Sequence, residues 1–188
     1  SHLDRMSRYA RLIARALAES WHLDDGFVEH LFMFAPLHDI GKVGIPDRIL
    51  HKQGRLDAEE MEVMRTHARL GEAMIDDLVD SFGLEHFDYR DVLRNIAASH
   101  HEAMDGSGYP RGLAGEEIPI EARIVAVADV FDALTSKRPY KEAWSNARAV
   151  ALLQELAGST LDRACVDALV GELAEVERIQ ARFREKEL

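Results

Sequence analysis

Apolar residues recur every three or four positions along most of the chain, which is the pattern of helices that bury one face. In the first such stretch, residues 3–19, the apolar face contains Ala10, Ile13 and Leu17. The same spacing, together with capping residues, predicts six more helices over residues 24–40, 57–82, 88–101, 120–135, from 145 onward and from 162 to near 185. No segment has the character of a strand. We therefore expect one all-α domain of about seven helices over residues 1–188.

Glycine and proline interrupt the helical pattern between residues 104 and 119. This stretch contains Gly106, Gly108, Pro110, Gly112, Gly115 and Pro119. Residues of these types favour turns and disfavour continued helix, so a loop is predicted here. Shorter turns are predicted at residues 44–47 and 53–54.

Charge and composition narrow the classes of partner. The 188 residues include 34 acidic and 23 basic side chains, which gives a net charge of −11 with histidine neutral. Such a surface repels nucleic-acid polymers and anionic membranes, so an anionic substrate would need cations at its site. The single cysteine, Cys165, excludes an internal disulfide framework and suits the cytoplasm. No apolar run approaches the roughly 18 residues of a membrane span, and the first residues lack an export signal.

Histidine and aspartate cluster where predicted helices end. His38 and Asp39 close one helix, and His100 and His101 close another just before the glycine-rich loop. Two further candidates lie inside predicted helices, namely His67 and Asp129. Taken singly, each has a structural explanation, such as a hydrogen-bonded core histidine or an aspartate paired with arginine. Taken together, they favour a metal site for Fe, Mn or Zn, and the absence of a cysteine cluster argues against a structural zinc site.

These motifs, in this order, resemble the HD-GYP family, which comprises bacterial metal-dependent phosphodiesterases of cyclic di-GMP within the HD hydrolase superfamily. The matching segments are His38-Asp39-Ile40-Gly41-Lys42, His100-His101-Glu102, Asp105-Gly106-Ser107-Gly108-Tyr109-Pro110 and the run from Asp132 to Lys141. The resemblance extends from His2 to about residue 161. It implies an HD-type helical fold with a Gly-Tyr-Pro loop beside the site.

The resemblance also implies a set of metal ligands: His38, Asp39, His67, His100, His101 and Asp129. Asp39 would bridge two divalent ions, with Fe or Mn expected. His2 matches a family histidine that lies three residues before an arginine and seven before a tyrosine, here Arg5 and Tyr9. A Ser-His start also fits a purification-tag remnant, so His2 has two explanations. Some family members hold a third ion through a glutamate that would precede residue 1, which leaves two or three ions open.

Other residues take roles from the same resemblance. Asp39 and Lys42 are the expected catalytic residues, and Lys42 would contact a phosphate oxygen or orient the nucleophile. Arg138 and Lys141 match positions that bind the phosphates of the dinucleotide. Tyr109 would either reach the substrate or anchor its loop. We expect Glu102 to orient a ligand imidazole.

The expected reaction is hydrolysis of cyclic di-GMP to pGpG, with GMP as a further product. One alternative is an HD hydrolase acting on another cyclic dinucleotide or a nucleotide. The other is a non-catalytic cyclic di-GMP sensor that binds partners through the Gly-Tyr-Pro loop. We expect an upstream sensory or receiver domain in a longer protein, and a homodimer is compatible with the sequence.

Overall fold

The computed structural model describes residues 2–84, 86–137 and 142–183. These residues form ten α-helices and no β-strand, which confirms the all-α prediction. The helices are α1 (His2–Leu17), α2 (Asp25–Phe34), α3 (Asp47–Leu50), α4 (Ala58–Arg65), α5 (His67–Phe82), α6 (Arg90–Ser99), α7 (Ile120–Thr135), α8 (Asn146–Leu156), α9 (Arg163–Gly171) and α10 (Leu173–Arg182). Short 3-10 segments cover Ala35–Leu37, Ile40–Gly44 and Gly115–Glu117. None of the described helices combines the length and apolar character needed to cross a membrane.

The structure has more helices than the seven expected. Two of the predicted helices are each two shorter helices in the structure, and one short helix was not predicted. The predicted helix over 57–82 divides at Thr66, where the hydroxyl donates to the carbonyl of Val63 at 2.6 Å. The last predicted helix divides at Glu172, which leaves helical geometry at φ −116° and ψ 26°. Asp47–Leu50 adds a single turn inside a segment predicted as a turn. Apolar periodicity continues across both breaks, so the pattern alone did not reveal them.

Capping residues define several helix starts as the sequence predicts. Asp57 accepts from the backbone N–H of Glu60 at 2.8 Å, and Glu60 accepts in return from the backbone N–H of Asp57 at 2.9 Å. Ser145 and Asp162 likewise accept from backbone N–H groups at the starts of α8 and α9. These bonds satisfy donors that the first turn of a helix otherwise leaves unpaired.

The core is built around α1 and α7. Helix α7 has buried residues on several sides, among them Ile124, Val127 and Phe131. The Phe131 ring packs edge-on against the Tyr9 ring of α1, with ring centroids 5.3 Å apart. Because α7 lies inside the domain, polar residues in its sequence are drawn into the interior as well. Asp132 is fully buried.

A close backbone approach brings the 3-10 segment Ile40–Gly44 against α5. A Cβ on Gly41 would overlap the carbonyl oxygen of His67 and the backbone nitrogen of Gly71. Only glycine therefore fits at position 41 without displacing backbone. This contact places Asp39, two residues earlier, beside the start of α5.

Candidate metal centre

The predicted ligands meet at one place in the fold although they come from five parts of the chain. His38 and Asp39 lie between two 3-10 segments, His67 begins α5, and His100 and His101 follow α6. The remaining two come from α7 and α1, namely Asp129 and His2. They form two groups, Asp39 with His67, His100 and His101, and His2 with His38 and Asp129; within each group the possible ligand atoms lie within 4.8 Å of one another.

Asp39 faces both groups. Its Oδ1 lies 3.3 Å from Nε2 of His67 and 3.6 Å from Nε2 of His100. Its Oδ2 lies 3.3 Å from Nε2 of His38, in the other group. One carboxylate thus presents one oxygen to each group, which is the arrangement of a bridging ligand.

The second group is completed from α7 and α1. Asp129 Oδ1 lies 3.7 Å from Nε2 of His38 and 3.8 Å from Nε2 of His2. These separations exceed hydrogen-bond distance and leave space between the donor atoms.

Three imidazoles are oriented by backbone carbonyl groups that lie three or four residues earlier in the chain. The Nδ1 atoms of His38, His67 and His100 lie 2.8, 2.7 and 2.8 Å from the carbonyl oxygens of Ala35, Met64 and Ile96. A carbonyl can only accept, so each ring carries its proton on Nδ1 and directs the Nε2 lone pair into the centre.

Four of the inward atoms have no hydrogen-bond partner among the described residues. They are the Nε2 atoms of His38, His67 and His100 and the Oδ1 atom of Asp39, and all four are buried. Lone pairs of neutral imidazoles facing a carboxylate oxygen repel one another, and buried polar atoms without partners are costly. Divalent cations relieve both problems, so the residues present fit a metal centre.

The pKa shifts of Asp39, His100 and His101 favour the metal-binding forms. Burial alone would raise the pKa of Asp39, but the facing rings of His100, His38 and His67 outweigh it and hold that pKa far below its usual range. Burial lowers the pKa of His100. Burial, reinforced by His100 and His67, lowers the pKa of His101 to about 2. His38 is shifted the other way: burial alone would lower its pKa, but the carboxylates of Asp39 and Asp129 outweigh it and raise that pKa. Neutral imidazole and ionised carboxylate are the forms that ligate metals.

Asp132 positions His2, a role that the sequence motifs did not predict. Its carboxylate lies 2.5 Å from Nδ1 of His2 and accepts from Arg5 Nε at 2.8 Å and from Ser136 Oγ at 2.9 Å. Asp132 follows Asp129 by three residues, so both lie on one face of α7. That spacing is the sequence signal that could have revealed it.

Lys42 and Tyr109 both lie at the centre. The Lys42 ammonium donates to Asp39 Oδ2 at 2.5 Å. The Tyr109 ring stacks on His101 with centroids 4.8 Å apart and planes 17° from parallel. Burial raises the pKa of Tyr109 to about 12, so its hydroxyl keeps its proton and can donate a hydrogen bond.

The expectation for Glu102 was wrong. Its two carboxylate oxygens accept from the backbone N–H groups of Arg111 at 2.7 Å and Leu113 at 3.0 Å. Glu102 therefore holds the glycine-rich loop rather than an imidazole. Arg111 also donates to Glu72 at 2.6 Å, which ties the same loop to α5. Arg138 and Lys141 lie outside the described residues.

Comparison with known proteins agrees with this geometry. The family model of the HD domain matches residues 1–165. The cyclic di-GMP phosphodiesterase response regulator RpfG of Xanthomonas campestris is 48% identical over 181 residues, which is 96% of this chain and 45% of that protein. The 3'3'-cGAMP-specific phosphodiesterase 2 of Vibrio cholerae is 38% identical over 181 residues, 96% of this chain and 33% of that protein. The chain thus spans less than half the length of these relatives.

A solved structure shows the same fold. Bd1817, an HDG"Y"P protein from Bdellovibrio bacteriovorus, superposes with a TM-score of 0.65 at 22% identity, over 92% of this chain and 52% of that one. The HD family match implies divalent metal binding, for which the His/Asp cluster provides the donor atoms. The chain belongs to the HD domain family, and the HD-GYP resemblance drawn from its motifs is confirmed.

Proposed function

We propose that this chain is a metal-dependent phosphodiesterase that hydrolyses cyclic di-GMP to pGpG, and pGpG onward to GMP. The observation that carries the proposal is the position of Asp39 between two groups of possible ligand atoms, four of which are buried without a hydrogen-bond partner among the described residues. The names of its relatives, which include several cyclic di-GMP phosphodiesterases, support the substrate. The activity would reside in the cytoplasm, where the buried free thiol of Cys165 stays reduced.

In this proposal, Asp39 would be shared between two ions. His67, His100 and His101 would hold one ion with it, and His38, Asp129 and His2 would hold the other. Imidazole with carboxylate suits Fe or Mn, and neither group contains a cysteine. When bound, such ions polarise the phosphoryl group and lower the pKa of an attacking water molecule.

Lys42 and Tyr109 act on the substrate. The Lys42 ammonium is partly exposed beside the bridging carboxylate, where it can pair with a phosphate oxygen or orient the water that attacks. Tyr109 presents a protonated hydroxyl from a loop that Glu102 and Glu72 fix in place. Arg138 and Lys141 would bind the phosphate groups of the substrate. The exposed part of the glycine-rich loop would offer a surface to a protein partner.

A second candidate substrate is 3'3'-cGAMP. A relative with 38% identity is named for that activity, and it covers as much of this chain as the relative named for cyclic di-GMP. The two substrates share the phosphodiester ring and differ only in one base.

The test combines metal analysis with turnover of both dinucleotides. Asp39→Ala should lose bound Fe or Mn and all turnover together, because both groups lose their common ligand. Asp47→Ala is the matched control, since that carboxylate is almost fully exposed on α3 and its removal should change neither measurement. Wild-type protein that binds cyclic di-GMP without cleaving it, when loaded with Fe or Mn, would instead indicate a non-catalytic sensor.

A further inference from the structure

A groove between α1 and α10 is lined by five arginines. Arg8, Arg11 and Arg15 lie on α1, and Arg178 and Arg182 face them from α10. The groove has a volume of about 400 Å³ and contains none of the residues of the two ligand groups. A concentration of positive charge is unexpected in a chain whose net charge is −11.

Acidic side chains compensate only part of this charge. Glu29 lies 3.7 Å from Arg11 and 3.2 Å from Arg15, and Glu175 lies 3.0 Å from Arg178. Three arginines therefore share two carboxylates. Like charges held this close repel one another, and an anion bound among them would offset that repulsion.

The other two arginines contact an aromatic ring instead. Among the described residues, no carboxylate pairs with Arg8 or Arg182, whose guanidinium carbons lie 4.1 and 5.4 Å from the ring centroid of Phe183. The Nε atom of Arg8 is buried and has no hydrogen-bond partner within the part of the chain that the structure describes. The pKa of Arg11 is lowered, first by burial and then by the charges of Arg15 and Arg8, although Glu29 acts to raise it. The groove thus holds guanidinium donors that are available to a ligand.

We infer that this groove binds a small ligand with several phosphate groups, of the nucleoside polyphosphate class, apart from the metal centre. Guanidinium forks match phosphate oxygens in pairs. With a helical rise of about 1.5 Å per residue, the arginines at positions 8, 11 and 15 form a row roughly 10 Å long, suited to consecutive phosphates. The volume lies within the range of about 300–1,000 Å³ that is typical of small-molecule sites. The Phe183 ring supplies an apolar surface beside the charges.

Calorimetric titration of the metal-loaded chain tests the inference, with GTP, GDP, inorganic phosphate and a poly-glutamate peptide as probes. Wild-type protein should bind GTP more tightly than phosphate. Arg8→Gln combined with Arg182→Gln should weaken GTP binding by about tenfold or more, because two charge-assisted contacts are lost. If that variant fails to fold by circular dichroism, the more exposed Arg178→Gln should weaken binding about tenfold by itself.

The matched control is Arg48→Gln combined with Arg55→Gln. Both arginines are exposed and lie outside the groove, so this variant has the same loss of charge but should bind GTP as the wild type does. Any binding of phosphate groups at the metal centre is the same in all variants, so a difference in GTP affinity between the groove variants and the control reports binding in the groove. The inference is overturned if the groove variants and the control bind GTP equally, if wild-type protein does not bind GTP, or if the peptide binds more tightly than GTP.

Discussion

Replacing Asp132 by asparagine tests whether the second group of ligands depends on a buried ion pair. Asparagine has nearly the same shape but no charge, so it removes the negative charge that pairs with the Arg5 guanidinium. The Asp132 side chain is fully buried and the Arg5 side chain is only 8% exposed, so water cannot replace the lost carboxylate. His2 loses the charged acceptor that orients its ring.

The expected cost follows from these contacts. Removing one partner of a buried ion pair typically costs about 3–5 kcal/mol. Arg5 retains a hydrogen bond to the carbonyl of Phe183 at 3.0 Å and one to Ser136 Oγ at 2.8 Å, so we expect the lower end of that range. For a domain of this size, a loss of about 3 kcal/mol lowers the melting temperature by roughly 6–12 °C. Loss of the partner that orients a ligand histidine should weaken metal binding about 10- to 100-fold.

Two measurements check this prediction. Denaturant unfolding of metal-free protein gives the stability, and metal titration followed by elemental analysis gives the affinity of each ion. Asp167→Asn on the exposed face of α9 is the control and should change neither. Wild-type stability together with wild-type metal affinity in Asp132→Asn would refute the role assigned to this carboxylate.

Three further changes probe the same architecture. Gly41→Ala should destabilise the protein by about 1–3 kcal/mol in thermal melts, because its Cβ overlaps the backbone of α5; Gly171→Ala, with no atom near its Cβ, should not. Lys42→Gln should retain both ions in elemental analysis and lower turnover about 100-fold or more. A loss of metal in this variant would instead show that Lys42 maintains the metal centre rather than acting on the substrate. Burial raises the pKa of Glu121, so the contribution of this carboxyl to stability falls as pH rises through that pKa. Glu121→Gln keeps an acceptor for Asn95, and its advantage over wild type should grow as pH rises above the ordinary glutamate pKa of about 4.3 in denaturant unfolding; an advantage independent of pH would contradict this.

Helix starts were easier to predict than helix breaks. The capping box of Asp57 and Glu60 is a local interaction between residues three apart, so its sequence pattern is sufficient to identify it. The break at Thr66 follows no local signal of comparable strength, since apolar spacing continues through it. That break lets His67 begin a new helix with its Nδ1 bonded to the carbonyl of Met64. The site therefore depends on a boundary that periodicity did not reveal.

Local patterns along the chain were enough to predict the helical class, most helix caps, the glycine-rich loop and the residue types that can ligate metal. Packing was needed to show how those residues divide into two groups with Asp39 between them, and that Asp132 rather than Glu102 orients a histidine. Packing also brought the arginines of α1 and α10 to opposite sides of one groove. Separation along the chain explains the difference. His2 and Asp132 are 130 residues apart, and only the packing of α1 against α7 brings them within hydrogen-bond range.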